Sequence, residues 1–176
     1  MEKVGILFTC IQTLIAVLAA IIAFLEYRKH VEQNRYAVLS EYNSRYCNDK
    51  NIEVVVKYLI WFLEGHGSKN ETEPKKPTIY EKEMFMRFFE ELQLQIENDR
   101  IGEGKVEDFF AYYAVAAAMC HDFVDGTELN DEKSPEVWAR YKDFVHSFPE
   151  LPNMISDDYT KHNPDSNKGG LTLLIK

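Results

Sequence analysis

The chain holds only three cysteines, Cys10, Cys47 and Cys120, an odd and sparse set that excludes a disulfide scaffold. Its six prolines and eight glycines fall mostly in the second half, which excludes collagen-like or low-complexity character. Basic residues are outnumbered, 20 against 29 acids. The net charge of −9 and a sequence pI near 5.1 argue against a general nucleic-acid binder, which needs a basic face. There is no phosphate-cradling GxxxxGK, no GxSxG elbow, no HExxH and no CxxC. What is present is 45% hydrophobic and 13% aromatic, too rich for a disordered chain. With 176 residues there is material for one domain and an N-terminal segment.

That segment is the strongest signal. Val4 to Leu25 carries no charged side chain over 22 residues. At 1.5 Å per residue it makes a rod of about 33 Å, enough for a hydrocarbon core of about 30 Å. A signal peptide is the competing explanation, but its apolar region is usually shorter and ends at a small-residue cleavage site. Here the block runs straight into Glu26-Tyr27-Arg28-Lys29. The expectation is an uncleaved transmembrane helix over residues 1–26. Lys3 precedes the span, whereas Arg28, Lys29 and Arg35 follow it, so the positive-inside rule places the C-terminal bulk in the cytoplasm. Unpaired Cys47 and Cys120 suit that reducing compartment, and the Asn70-Glu71-Thr72 glycosylation triplet is then accidental. Without residues 1–36 the remainder has 16 basic and 26 acidic groups, net −10, so the exposed domain is acidic.

The remainder reads as mainly α. No glycine or proline interrupts Ile6 to Glu64, so the membrane helix continues as a juxtamembrane stalk over 27–47 and breaks near Asn48-Asp49. A cytoplasmic bundle of about four helices follows over 48–148. Its first helix covers Ile52 to Leu63, although Val54-Val55-Val56 also suits a strand. Gly65 to Pro77 is a polar loop. Thr78-Ile79-Tyr80-Glu81 fits a capping box, opening a helix with an apolar stripe at Met84, Phe85, Phe88, Phe89, Leu92 and Ile96. After a turn at Arg100 to Gly104, a helix is expected from Lys105 to Val124, ended by Gly126. Its apolar stretch, FFAYYAVAAAMC, is too short to span a bilayer and suits a buried core helix. Ser134 and Pro135 are placed to open a last helix carrying Val137, Trp138, Tyr141, Phe144 and Val145 on one side, ended by Pro149. Residues 149–176 are expected to form an irregular tail. Its final LTLLI is either a docked extended segment or a partner-binding end.

The span has a one-sided texture. Thr9, Gln12, Ala16, Ala19 and Ala23 recur at steps of three and four, with Thr13 and Ala20 bordering the same stripe. Small residues allow close helix approach in lipid and polar ones hydrogen-bond across helices, while a lone Gln12 facing hydrocarbon is costly. The stripe therefore points to a homo-oligomer, the alternative being a single anchor that tolerates three polar residues. Thr9, Gln12 and Thr13 would line a water-filled pore, or the stripe would serve packing alone.

Downstream, Arg28, Lys29, His30 and Arg35 interleave with Tyr27 and Tyr36, and Arg45 follows one stalk length on. As a topology signal such a cluster attracts anionic lipid at about 1 kcal/mol per charge. In an oligomer, copies of Arg28 and Lys29 would instead ring the channel mouth. With Arg35, and with Tyr27 stacking on bases, they would bind a phosphate-bearing ligand. His121 and Asp125, four apart, could offer a metal two ligands, and Glu90-Glu91 could act as an acid–base pair. A surface histidine and the solvated rim of an amphipathic helix are the commoner meanings. No catalytic residue, metal or cofactor is assigned.

The span, the basic stalk and the segment FFEELQLQIENDRIGEGKVEDFFAYYAVAAA (Phe88 to Ala118) resemble a bacterial family that joins one N-terminal membrane helix to a small helical cytoplasmic domain. The shared pattern is an apolar pair with Glu-Glu-Leu, a glycine-containing turn and an acidic-aromatic helix start. It covers about residues 4–148, leaving out the tail after Pro149. Some architectures of this kind are membrane effectors in phage defence, where a nucleotide-type signal controls a toxic oligomeric pore, as in the Hailong-type systems. The resemblance implies a non-enzymatic effector and supplies no functional residue. The expected function is thus a homo-oligomeric inner-membrane effector with a cytoplasmic C-terminal domain, a gated pore in anti-phage defence. Its partners would be the bilayer, its own copies, a nucleotide or oligonucleotide signal and a nucleotidyltransferase system. The alternative is a membrane-tethered adaptor recruiting a cytosolic protein.

Overall fold

The computed structural model describes residues 2–64, 74–106, 110–130, 136–163 and 171–175, the side chains of 2–10, 103, 104 and 130 excepted. Every regular element among the described residues is a helix. The first, α1, runs from Glu2 to Asn48. Forty-seven residues without an internal helix breaker after Gly5 give a rod about 70 Å long. It ends where Asp49 turns extended (ψ 117°) and its carboxylate accepts the Asn51 N–H, at 2.8 Å, as N-cap of α2, Lys50–Leu63. The break therefore takes a single residue. The Val54–Val56 triple is helical, since Ile52, Val55, Leu59 and Leu63 on one face of α2 are all buried.

Helix α3, Ile79–Glu97, opens with the expected capping box. The Thr78 N–H donates to Glu81 Oε2 at 2.7 Å and the Glu81 N–H to Thr78 Oγ1 at 3.3 Å. The Thr78 backbone N–H foremost holds the Glu81 carboxyl below the usual carboxylate range. The buried face of α3 is Phe85, Met86, Phe88, Phe89 and Leu92. Met84 and Ile96, expected on the stripe, are only half-buried. At its end Asp99 adopts a left-handed conformation (φ 56°). The Arg100 N–H reaches Gln95 O and the Asp99 N–H reaches Ile96 O, both at 2.9 Å, a Schellman closure without glycine.

The helix expected over Lys105–Val124 is broken instead. The described pieces are a single turn α4, Glu103–Val106, then α5, Tyr112–Met119, and a single turn α6, His121–Val124. Cys120 between the last two is extended (φ −89°, ψ 112°). The break has a hydrogen-bonding reason. A helix end leaves carbonyls without partners, and here distant groups supply the donors. Leu174 N–H reaches Ala118 O at 3.0 Å, and Lys82 Nζ reaches Asp122 O at 2.6 Å and Asp125 O at 2.8 Å. Gly126 then turns the chain with φ +76°.

Helix α5 is the buried centre: Ala114 through Met119 are fully buried, packed against α2, α7 and α8. Helix α7, Ala139–His146, buries Tyr141, Phe144 and Val145 against α3. The expected opening at Ser134 and Pro135 lies outside the described residues, and α7 follows a left-handed Trp138 (φ 60°). The tail is not irregular throughout. Leu151–His162 forms α8, with Pro152 in its first turn and Leu151 and Ile155 buried. Proline is harmless there because first-turn N–H groups have no helical partner. The final segment is docked, with Ile175 buried.

Candidate functional site

From Ile11 onward α1 is long and apolar enough to cross a membrane once, and none of its apolar window is buried by the chain. Length and composition of this kind fit a single-pass membrane protein, and a signal sequence passes the same test. Gln12, Thr13, Ala16, Ala19 and Ala23 are all exposed, while the Thr9 side chain lies outside the described residues. Bulky Leu14, Leu18, Ile21, Ile22 and Leu25 are exposed as well. Between residues 11 and 30 the rod is exposed around its whole circumference.

The rod joins the body through its C-terminal half. Tyr42 is buried, and Leu39 and Tyr46 pack on the core. The Tyr46 ring sits among Phe88, Phe89 and Phe110 at 5.6, 6.4 and 5.3 Å between centroids. Arg45 is part of this joint and not of a ligand cluster. It pairs with Glu91 at 2.8 Å and lies over the Tyr42 and Phe88 rings. Glu91 is thereby committed to a strut, and burial raises the pKa of its half-buried neighbour Glu90.

Nearer the apolar half of α1 a second joint forms between the stalk and the turn after α3. Arg35 Nη2 pairs with Asp99 Oδ1 at 2.5 Å, and its Nε donates to Asp99 O at 3.2 Å. A cleft opens on each side of this bridge. One, of about 250 Å³, is lined by Glu32, Arg35, Tyr36, Ile101, Gly102 and Lys105. The other, of about 350 Å³, is lined by Val31, Asn34, Arg35, Val38, Asp99 and Arg100. Lys105 Nζ lies 5.6 Å from the Tyr36 ring centroid. Among the described lining residues, three cations (Arg35, Arg100, Lys105) stand with two acids (Glu32, Asp99). Arg35 is ten residues past Leu25, about 15 Å along the rod.

Of the expected anion-binding residues, Arg35 is at this joint. Arg28, Lys29 and Tyr27 stand exposed on the rod above it, Arg28 on the same face two turns earlier. Lys105 and Arg100 are brought to Arg35 by the fold alone. Their separation in sequence hid them, although the Gly102-containing turn marked where the chain would double back.

The other candidates are structural. Asp122 accepts from Tyr58 at 2.7 Å and Lys76 at 2.9 Å, and these bonds lower its pKa, Lys76 foremost. Lys82 is buried, which lowers its pKa, and its ammonium caps carbonyls around α6. Cys120 is buried and its thiol is pushed up to about 11 by desolvation, the wrong direction for a nucleophile. His121 and Asp125 are exposed. No group of three metal-ligating side chains occurs among the described residues. The Asn70–Thr72 triplet lies outside them.

No protein-family model, no curated protein and no solved structure matches the chain.

Proposed function

We propose that the chain is a single-pass inner-membrane effector whose copies assemble through α1 into a gated pore, controlled from the cytoplasmic side by an anionic, nucleotide-type ligand in bacterial anti-phage defence. The observation that carries this reading is the bare apolar rod with an amide- and hydroxyl-bearing stripe. Gln12 is exposed, and an amide inside a bilayer turns toward partners or water. The continuity of α1 supports retention of the span, because the same helix that starts it ends inside the core at Tyr42 and Tyr46.

Control is assigned to this joint between stalk and turn. Arg28 and Lys29 on the rod, and Arg35, Arg100 and Lys105 at the turn, would hold phosphate groups, with Tyr27 and Tyr36 available for base stacking. A ligand bridging rod and turn would bias how the rod leaves the body, which couples cytoplasmic binding to the membrane segment. A nucleotidyltransferase encoded beside this gene would be its natural source.

Ion flux from liposomes containing only the purified protein tests the reading. Flux should appear, change with Gln12→Leu and lose its response to an added cyclic oligonucleotide with Arg35→Glu/Lys105→Glu. The second reading is a membrane-tethered adaptor, favoured by the net −10 of the chain beyond residue 36. It predicts tight liposomes and capture of a basic cytosolic protein.

A further inference from the structure

A further cleft lies on the body, where three helices converge. Helix α2 ends at Leu63, α8 ends at His162, and both pack on α5. Asn163, the residue after α8, donates through Nδ2 to Leu63 O at 3.3 Å, so the two helix C-termini stand side by side. A helix C-terminus carries about half a negative charge, and the last turn of α2 has no basic residue to offset it. The cleft beside these ends has a volume of about 350 Å³, within the range of small-molecule sites. Ile60 and Leu63 give it an aliphatic side, Tyr112 and Tyr113 an aromatic one, and Glu64 and Asp158 its charge. The two tyrosine rings stand edge to face, 5.4 Å apart between centroids. His162 completes the lining, its Nδ1 at 2.8 Å from Asp158 O. No lysine or arginine lines the cleft among the described residues. Lys161, not itself a lining residue, pairs with Asp158 Oδ1 at 3.0 Å, but its side chain is 70% exposed, so this is a weak surface pair. The carboxylates are felt inside. Burial foremost, then Asp158, raises the Tyr112 pKa, and burial, then Glu64, raises that of Tyr113.

We infer that this cleft binds a linear aliphatic diamine or polyamine. Each part of the lining fits one part of such a molecule. Glu64 and Asp158 take its ammonium groups in charge-assisted hydrogen bonds, displacing Lys161 from Asp158. The tyrosine rings add cation–π attraction. Ile60 and Leu63 cover the methylenes between the charges, a contact that a bare metal ion leaves unused. A metal ion is also poorly served, because no group of three metal-ligating side chains occurs among the described residues. The site shares no residue with the Arg35–Asp99 joint, so it stands whether or not the rods form a pore.

The test is calorimetric titration of putrescine into the full-length protein in an uncharged detergent at low salt. Saturable binding is expected with a Kd of about 0.1–1 mM. The uncharged diol of the same chain length should give none. Asp158→Asn and Glu64→Gln should each weaken binding about 5-fold and together remove it. Glu41→Gln/Asp143→Asn, which takes two charges from exposed positions elsewhere, should leave it within about 2-fold. Tyr113→Leu reads the aromatic side without touching a charge and should cost about 3-fold. Thermal melts without amine check that each variant is folded. No saturable heat, equal losses in the two double variants, or equal binding of the diol overturns the site. Mg²⁺ binding more tightly than putrescine, and lost with Asp158→Asn, overturns the amine as its ligand.

Discussion

The same chemical change, removal of one tyrosine hydroxyl, should have opposite signs at two core positions. Tyr46 is held by three aromatic neighbours, but its hydroxyl is enclosed with no hydrogen-bond partner among the described residues. Burial pushes its pKa well above the usual phenol range. A polar group left unpaired inside a protein costs about 1–3 kcal/mol. Tyr46→Phe keeps the ring contacts and removes that cost, so stability should rise by about 1–2 kcal/mol. Tyr141, fully buried, instead donates its hydroxyl to Ala114 O at 2.8 Å. Tyr141→Phe loses that bond and should cost about 1 kcal/mol. Urea unfolding of detergent-solubilised protein, followed by tryptophan fluorescence, reads both. For a protein of this size each kcal/mol is about 2–4 °C in Tm. A Tyr46→Phe variant destabilised by 1 kcal/mol or more would refute the reasoning, since it would mean that the hydroxyl is satisfied and that the rod is joined to the body by a polar contact.

Asp99 is 84% exposed on its side chain, so the Arg35–Asp99 bridge is a surface pair. Asp99→Asn, which tolerates the left-handed backbone, should cost under about 1 kcal/mol, and 0.5 M salt should shrink the difference between variant and parent further. Alkaline pH should weaken the fold through Cys120. Its folded pKa of about 11 lies above the ordinary 9.0, so its contribution is complete below pH 9 and is lost as pH rises toward 11. Two units correspond to about 2–3 kcal/mol. Cys120→Ala should flatten the pH 9–11 limb of a stability titration, and an unchanged slope would contradict the burial of that thiol.

The elements whose signals are local were legible. The rod followed from the absence of glycine and proline between Ile6 and Glu64, the break from Asn48-Asp49, and α3 from the Thr78–Glu81 box. What escaped depends on distant partners. Nothing near Cys120 announces an extended residue inside so apolar a run. The break is sustained by Lys82 and by Leu174, each far away in sequence. Helix α8 was masked by its polar composition and by Pro152, which reads as a breaker until placed in a first turn. The candidate joint was half visible. Arg28, Lys29 and Arg35 stand together in the chain, but Arg100 and Lys105 join Arg35 only because the Asp99 turn folds back on the stalk.

Subunit counting in native bilayers is the most direct test of the central claim that copies of α1 meet inside the membrane. Fluorescently labelled full-length protein, extracted with its lipid in polymer nanodiscs and bleached molecule by molecule, should show one fixed stoichiometry above one, lowered by Gln12→Leu/Ala16→Leu/Ala19→Leu. A single bleaching step in nearly every disc, with the rod lone and ringed by lipid, would contradict it.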